Sequence, residues 1–123
     1  MKLSANFNLS EFNCRDGSKL PAELIPNLVA LAAELEKLRE LLGEPIHINS
    51  GYRSPAYNKK VGGKPKSYHL TAKAADITVK SMTAKVLSKF IIKEIAAGRL
   101  NFGGVGTYPG FVHVDIGPKG RRW

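Results

Sequence analysis

The sequence predicts an α+β fold, with helices packed on one face of a small, mostly antiparallel sheet. Two segments carry apolar residues at helical spacing and four carry the two-residue alternation of strands. Their order is helix, strand, loop, strand, helix, strand, strand, which suits a sheet with its helices segregated to one side. A length of 123 residues lies within the range of one domain and is short for two, so a single domain over 1–123 is expected.

The first element is the helix in "AELIPNLVALAAELEKLRELLG". Leu24, Leu28, Leu31, Leu35, Leu38 and Leu42 recur at spacings of three and four, which puts them on one face. Pro26 belongs in the first turn, where its missing N–H costs nothing, and Gly43 followed by Pro45 supplies the stop. In "PIHINS", Ile46 and Ile48 alternate with His47 and Asn49 as in a short strand. His47 is read as exposed in preference to lining a cleft.

The next 17 residues, "GYRSPAYNKKVGGKPKS", read as a loop with room for one short helix starting at Pro55. Loops this long in small domains are often functional. "AKAADITVK" is a strand that sets Asp76 on the face opposite Ile77. "SMTAKVLSKFIIKEIAAG" is the second helix. Thr83 is its N-cap, Val86, Leu87, Phe90, Ile91 and Ile95 its apolar face, and Gly98 its stop. "FGGVGTYPGFVHVDIG" is two short strands around a Tyr108-Pro109-Gly110 turn. On the second of them Phe111, His113 and Asp115 share one face, and Val112, Val114 and Ile116 the other.

Composition narrows the function classes. The single cysteine, Cys14, excludes an intrachain disulfide scaffold and a cysteine zinc finger, leaving a small buried hydrophobe or a lone nucleophile. No apolar run approaches the roughly 20 residues of a membrane span. The N-terminus lacks the apolar core of a signal peptide. A net charge of +9, with clusters at Lys59, Lys60, Lys64, Lys66 and at Lys119, Arg121, Arg122, favours an anionic partner such as nucleic acid, anionic lipid or bacterial cell wall. Specific nucleic-acid binding is not expected, because the chain shows no helix-turn-helix, paired finger or aromatic sheet platform.

His113 and Asp115 oppose an apolar face, and so does Asp76 on its own strand. If those strands are neighbours, Asp76 and His113 meet, and His69, just ahead of the Asp76 strand, can close the set. Two imidazoles and a carboxylate form a catalytic zinc arrangement with a fourth position left for water. They equally form a hydrogen-bonded pair with a bystander, and spacing alone leaves both readings open.

"SYHLTAKAAD" resembles the Ser-x-His-x-x-x-x-Ala-x-Asp pattern of the zinc D-alanyl-D-alanine peptidases, the LAS-type metallopeptidases. That family also includes VanX-type dipeptidases, phage L-alanyl-D-glutamate endolysins and the hedgehog signalling fold. "INSGYRSPAYN" is similar to the family's strand and arginine loop, "GGVGTYPGFVHVDIG" to the strand with its last histidine, and "NFNLSEFNCRDG" to the opening of cell-wall members. The resemblance covers nearly the whole chain in the right order. It implies that His69, Asp76 and His113 hold Zn²⁺ and that Arg53 binds substrate and stabilises the oxyanion, its alternative being an exposed salt bridge. It also implies that Ser67 bonds near the metal or shapes the turn.

The implied substrate is a D-amino-acid-containing peptide or cross-link of peptidoglycan, and the implied activity that of a D,D-carboxypeptidase or endopeptidase. The protein is then expected to be a monomer acting on the cell wall or in the periplasm, as a phage product released through a holin or as a fusion or mature fragment. The departure from the family is the general base. Members carry an acid three residues before the last histidine or a histidine two before it, and here those positions are Gly110 and Phe111. Asp115 is the nearest acid, on the same strand face as His113 and roughly 7 Å along the strand. It is expected either as the base, reaching through a water, or as partner to a zinc ligand. The missing base also keeps open a non-catalytic, zinc-containing wall-binding module, as in the hedgehog branch. Tyr52, Tyr57, Tyr68 and Tyr108 are expected to pack, with the cleft rim as alternative, and Trp123 either closes the fold or meets a partner.

Overall fold

The structure is a computed structural model that describes residues 1–123. Three α-helices, α1 (Ile25–Leu42), α2 (Pro55–Lys60) and α3 (Ala84–Ala96), accompany five strands. The strands are β1 (His47–Ser50), β2 (Ala74–Thr78), β3 (Gly104–Thr107), β4 (Val112–Asp115) and β5 (Arg121–Arg122). They form one sheet in the order β1-β2-β4-β3-β5, antiparallel except for the edge strand β5, which runs parallel to β3. This is the α+β architecture that the hydrophobic patterning predicts.

Local chemistry sets the helix ends. Pro26 sits in the first turn of α1, where no backbone donor is needed, and Gly43 ends the helix at φ 70°. Thr83 caps α3 by accepting a hydrogen bond from the Val86 amide at 3.2 Å. Leu28, Leu31, Leu35 and Leu38 of α1 and Leu87 and Ile91 of α3 are buried in one cluster with Ile48, Ile77, Val105, Val112 and Val114 of the sheet. Both helices therefore share the sheet face opposite Asp76 and His113. Val86 departs from expectation: it sits at the edge of the α3 stripe and is exposed.

The long loop contains α2, a helix of six residues starting at Pro55. Two features had no sequence signal. β5 is only two residues of arginine, and single turns of 3₁₀ helix at Leu9–Phe12, Ala22–Leu24 and Tyr68–Thr71 join the larger elements. No helix is long and apolar enough to cross a membrane.

Candidate metal centre and cleft

The register of the sheet builds the site. On β2 and β4, Asp76 pairs directly with His113, and Ala74 with Asp115. Side chains directly across an antiparallel pair stand about 5 Å apart, so Asp76 and His113 meet on the face turned away from the helices. β3 then places Gly104 opposite Asp115 and Gly106 opposite His113. A side chain at Gly104 would collide with the Asp115 carboxylate, and one at Gly106 with the Trp123 indole. The two glycines leave the face open for the imidazole and carboxylate beside them.

His69 arrives from the turn before β2. Ser67 caps that turn by accepting from the His69 amide at 3.2 Å, so its side chain shapes the turn. Ala72 then adopts the left-handed conformation, φ 58°, and redirects the chain into β2. His69 Nε2 lies 3.1 Å from Asp76 Oδ1, and His113 Nδ1 lies 3.2 Å from the same oxygen. One ligand atom from each of His69, Asp76 and His113 falls within 4.8 Å of the others. Bonds of 2.0–2.2 Å to a tetrahedral zinc would separate ligand atoms by about 3.4 Å, close to the spacing found.

Hydrogen bonds on the far side of each ring fix which nitrogen is free. His69 Nδ1 is 2.7 Å from the Gly51 carbonyl, which only accepts, so Nδ1 carries the proton and the Nε2 lone pair faces inward. His113 Nε2 is 2.7 Å from Asp115 Oδ2, so its neutral ring presents the Nδ1 lone pair to Asp76. Two acceptor nitrogens aimed at an acceptor carboxylate repel one another unless a cation lies between them. These residues fit a divalent metal of the zinc type.

Without metal, a proton on His113 takes that cation's place. Burial alone would raise the Asp76 carboxyl, but hydrogen bonds from His113 and His69 and their charge hold it far below the usual carboxylate range. Burial would lower His113, yet its bonds to Asp115 and Asp76 outweigh that and raise its pKa. Asp115 is likewise held low, against its burial, by His113, Arg121 and the Gly117 amide.

Asp115 is fully buried and touches His113 directly, with no intervening water needed. Its oxygens also accept from both terminal nitrogens of Arg121 and from the Gly117 N–H at 2.9 Å. It faces the outer nitrogen of His113, away from the ligand cluster. Arg121, noticed in the sequence only as part of a charge cluster, lies 4.9 Å from the Tyr68 ring centre and clamps this carboxylate. β5 carries it into place, and a two-residue strand leaves no pattern to read.

Arg53 joins the site from the loop after β1. Its Nη2 donates to Asp76 Oδ2 at 3.1 Å, Nε to Ser50 Oγ at 3.3 Å, and Nη1 to Asn58 Oδ1 at 3.4 Å. It is an ion pair facing the cleft, with the side chain only 16% exposed. The Arg53 amide bonds the His69 carbonyl at 3.0 Å, which ties the loop to the turn that carries His69. Cys14 is buried and free, 3.8 Å from Ser54 Oγ, and Ser54 in turn donates to Asp16 at 2.8 Å and caps α2.

A cleft of about 770 Å³ opens over Asp76 and His113. Tyr108 stacks on Phe111 at 4.6 Å, and the Trp123 indole N–H donates to the Tyr108 hydroxyl at 2.8 Å, making an aromatic wall. Tyr68 also lines the cleft, whereas Tyr52 is buried and Tyr57 packs against the core. His47 is exposed on β1, away from the cleft.

The architecture and the His-Asp-His cluster can be set beside known families. No curated protein matches the chain. The family model described as Peptidase M15 matches residues 5–115, from the N-terminal segment through Asp115. That span covers the arginine loop, the metal turn and both strands that meet at the site, and the family is one of zinc metallopeptidases. This chain belongs to the peptidase M15 family.

Proposed function

We propose that this protein is a zinc-dependent peptidase that hydrolyses peptide bonds in the stem peptides or cross-links of peptidoglycan. The observation that carries the reading is the convergence of His69 Nε2, Asp76 and His113 Nδ1 beside an open cleft that Asp76 and His113 line, with both outer ring nitrogens already engaged. His69, Asp76 and His113 would hold the zinc ion, which would supply Lewis-acid chemistry toward the scissile carbonyl and the attacking water.

The chain's own residues supply the rest. Arg53 holds a permanent positive charge beside Asp76, where it meets the negative charge that develops on the carbonyl oxygen in the tetrahedral intermediate. Asp115 keeps His113 in one tautomer, and Arg121 keeps Asp115 ionised and still. Of the two roles expected for Asp115, this geometry favours the partner to a metal ligand over the base, since both oxygens are occupied. The walls over the site bring Tyr108, Phe111 and Trp123 against one side of a bound peptide. The same reading places the protein's work outside the cytoplasm, on the cell wall, as a monomer.

The test is mass spectrometry of purified muropeptides after incubation with zinc-loaded protein, with and without chelator. Chelator-sensitive loss of a stem residue identifies a carboxypeptidase, and cleavage within the stem or cross-link an endopeptidase. A fully zinc-loaded sample that cleaves no D-amino-acid-containing peptide refutes the proposal. A second reading, a zinc-stabilised wall-binding module, is favoured by one observation: neither Gly110, Phe111 nor the engaged Asp115 offers a free proton acceptor beside His113. Tight wall binding by that uncleaving, zinc-loaded protein would select it.

A further inference from the structure

The charge of this protein is divided unevenly along the chain. Residues 1–44 hold seven of the ten acids and five of the nineteen Lys and Arg, whereas 45–123 hold three acids and fourteen cations. The first part is net −2 and the second, which supplies the metal ligands and the cleft, is net +11. Each of the three later acids is already paired with an arginine: Asp76 with Arg53, Glu94 with Arg99, and Asp115 with Arg121. None of the other eleven cations of this part forms an ion pair with a carboxylate.

Three of those eleven, Lys64, Lys66 and Arg122, line the cleft. Their backbone is held in place. Buried Asn58 donates through Nδ2 to the Lys64 carbonyl at 2.9 Å while its Oδ1 accepts from Arg53. The Ser67 amide bonds the same Lys64 carbonyl at 3.0 Å. Asn58 thus links the lysine wall to the guanidinium that faces the site. Arg122 anchors one end of its fork on the Gly103 carbonyl at 3.0 Å. The only acid in the cleft lining is Asp76, a ligand in the metal cluster.

We infer that this cleft selects stem peptides whose D-Glu α-carboxyl is free over those in which it is amidated, with Lys64 and Lys66, assisted by Arg122, as the residues that set this specificity. The inference rests on the peptidase reading and deepens it by naming the charge state of the substrate. A carboxamide at the same position has the same shape and no charge, so it forfeits the attraction of these ammonium groups and leaves them uncompensated when the cleft is filled. Exposed ion pairs are individually weak, so two or three acting together give a preference of about tenfold. Because the groups are exposed, added salt weakens it.

The experiment uses the pentapeptide L-Ala–γ-D-Glu–L-Lys–D-Ala–D-Ala in two forms, the D-Glu α-carboxyl free or amidated. KM and kcat are measured for cleavage, and Kd by calorimetry, with the whole zinc-loaded chain at 20 mM and 500 mM salt. The expected result is a KM and Kd about tenfold lower for the free acid at low salt, a smaller ratio at high salt, and similar kcat. The Lys64→Gln/Lys66→Gln double variant loses the preference while its zinc content holds, and Lys64→Arg/Lys66→Arg keeps it. Equal KM and Kd for the two forms, a preference that survives in the Gln variant, or no measurable binding of either form overturns the inference. If neither form is cleaved, the peptidase proposal fails on that point, and the Kd ratio still decides the carboxylate preference.

Discussion

Replacing Asp115 separates holding a metal ligand from moving a proton. Asp115 accepts from His113 Nε2 at 2.7 Å with a full negative charge, and its own side chain has no exposure to solvent. A charge-assisted hydrogen bond of this kind is worth about 1.5–3 kcal/mol, and a neutral one about 0.5–1.5. Asp115→Asn keeps the volume and leaves only the weaker bond, a loss of about 1–1.5 kcal/mol, or about tenfold in affinity. Asp115→Ala removes the acceptor altogether and frees the His113 ring to rotate, so zinc affinity falls about 10- to 100-fold. Both variants are measured by competition against a chromophoric zinc chelator at fixed pH, alongside the metal-free melting temperature. The expected pattern is graded, with Ala weaker than Asn and Asn weaker than wild type. Should zinc affinity stay level across all three while kcat drops by 10²- to 10⁴-fold, the loss expected for a missing proton acceptor, Asp115 is the base and its assignment as a positioning residue is wrong.

Other outcomes follow from the same geometry. Arg53→Lys preserves charge but not the fork that reaches Asp76, Ser50 and Asn58; kcat on a cleavable peptide should fall about 10²-fold with bound zinc unchanged, and a drop in metal content instead would make Arg53 a structural partner of Asp76. Gly104→Ala drives a methyl group into the Asp115 carboxylate and should weaken zinc binding much as Asp115→Asn does, which titration of the variant checks. Leu31→Ala opens a cavity where α1 is fully buried, and urea denaturation should show a loss of about 2–5 kcal/mol. In chelator, the raised His113 pKa gives stability that is present below pH 6.5 and is lost as pH rises through its folded value. The lowered Asp76 and Asp115 values give stability that is present above pH 3.8 and is lost as pH falls further. Metal-free melting temperatures should therefore peak between about pH 4 and 6.5, and a steady rise through pH 8 would contradict the charge arrangement described.

The elements that bury a continuous apolar stripe were legible in the sequence, and those that do not were not. The leucines of α1 and the alternation in β2 and β4 encode burial directly, because period and burial are the same fact. The Thr83 cap and the Gly43 stop were legible because each satisfies a backbone demand with few residue solutions. β5 was not, since Arg121-Arg122 pairs through backbone amides and buries no side-chain stripe. Val86 was misplaced because the helical period does not say where a stripe ends. Within the site, alternation put Asp76, His113 and Asp115 off the helix-covered face, but burial there comes from Arg121, Tyr68 and Trp123, which the strand pattern does not contain. That is why the strand pattern left Asp115 open between base and partner to a ligand, and could not show that both its oxygens are bonded.

Strand register is what brings Asp76 and His113 together in this fold. Because side chains alternate, sliding β4 by one residue against β2 would turn His113 and Asp115 into the leucine layer and bring Val112 and Val114 out to Asp76. The cost of that slip is the burial of a charged pair together with the exposure of two valines, each worth about 1.5–3 kcal/mol when buried. The apolar face therefore enforces the pairing of Asp76 with His113 without any contribution from the metal. Glycines at 104 and 106 add to the constraint, since only the observed register sets a position without a side chain beside each polar group. The outer nitrogens of both histidines are bonded without any metal, and burial of the valines already holds the three side chains together. A zinc ion held there would displace the proton that bridges His113 and Asp76 rather than assemble the site, so metal binding should release protons and stabilise the fold more as pH rises.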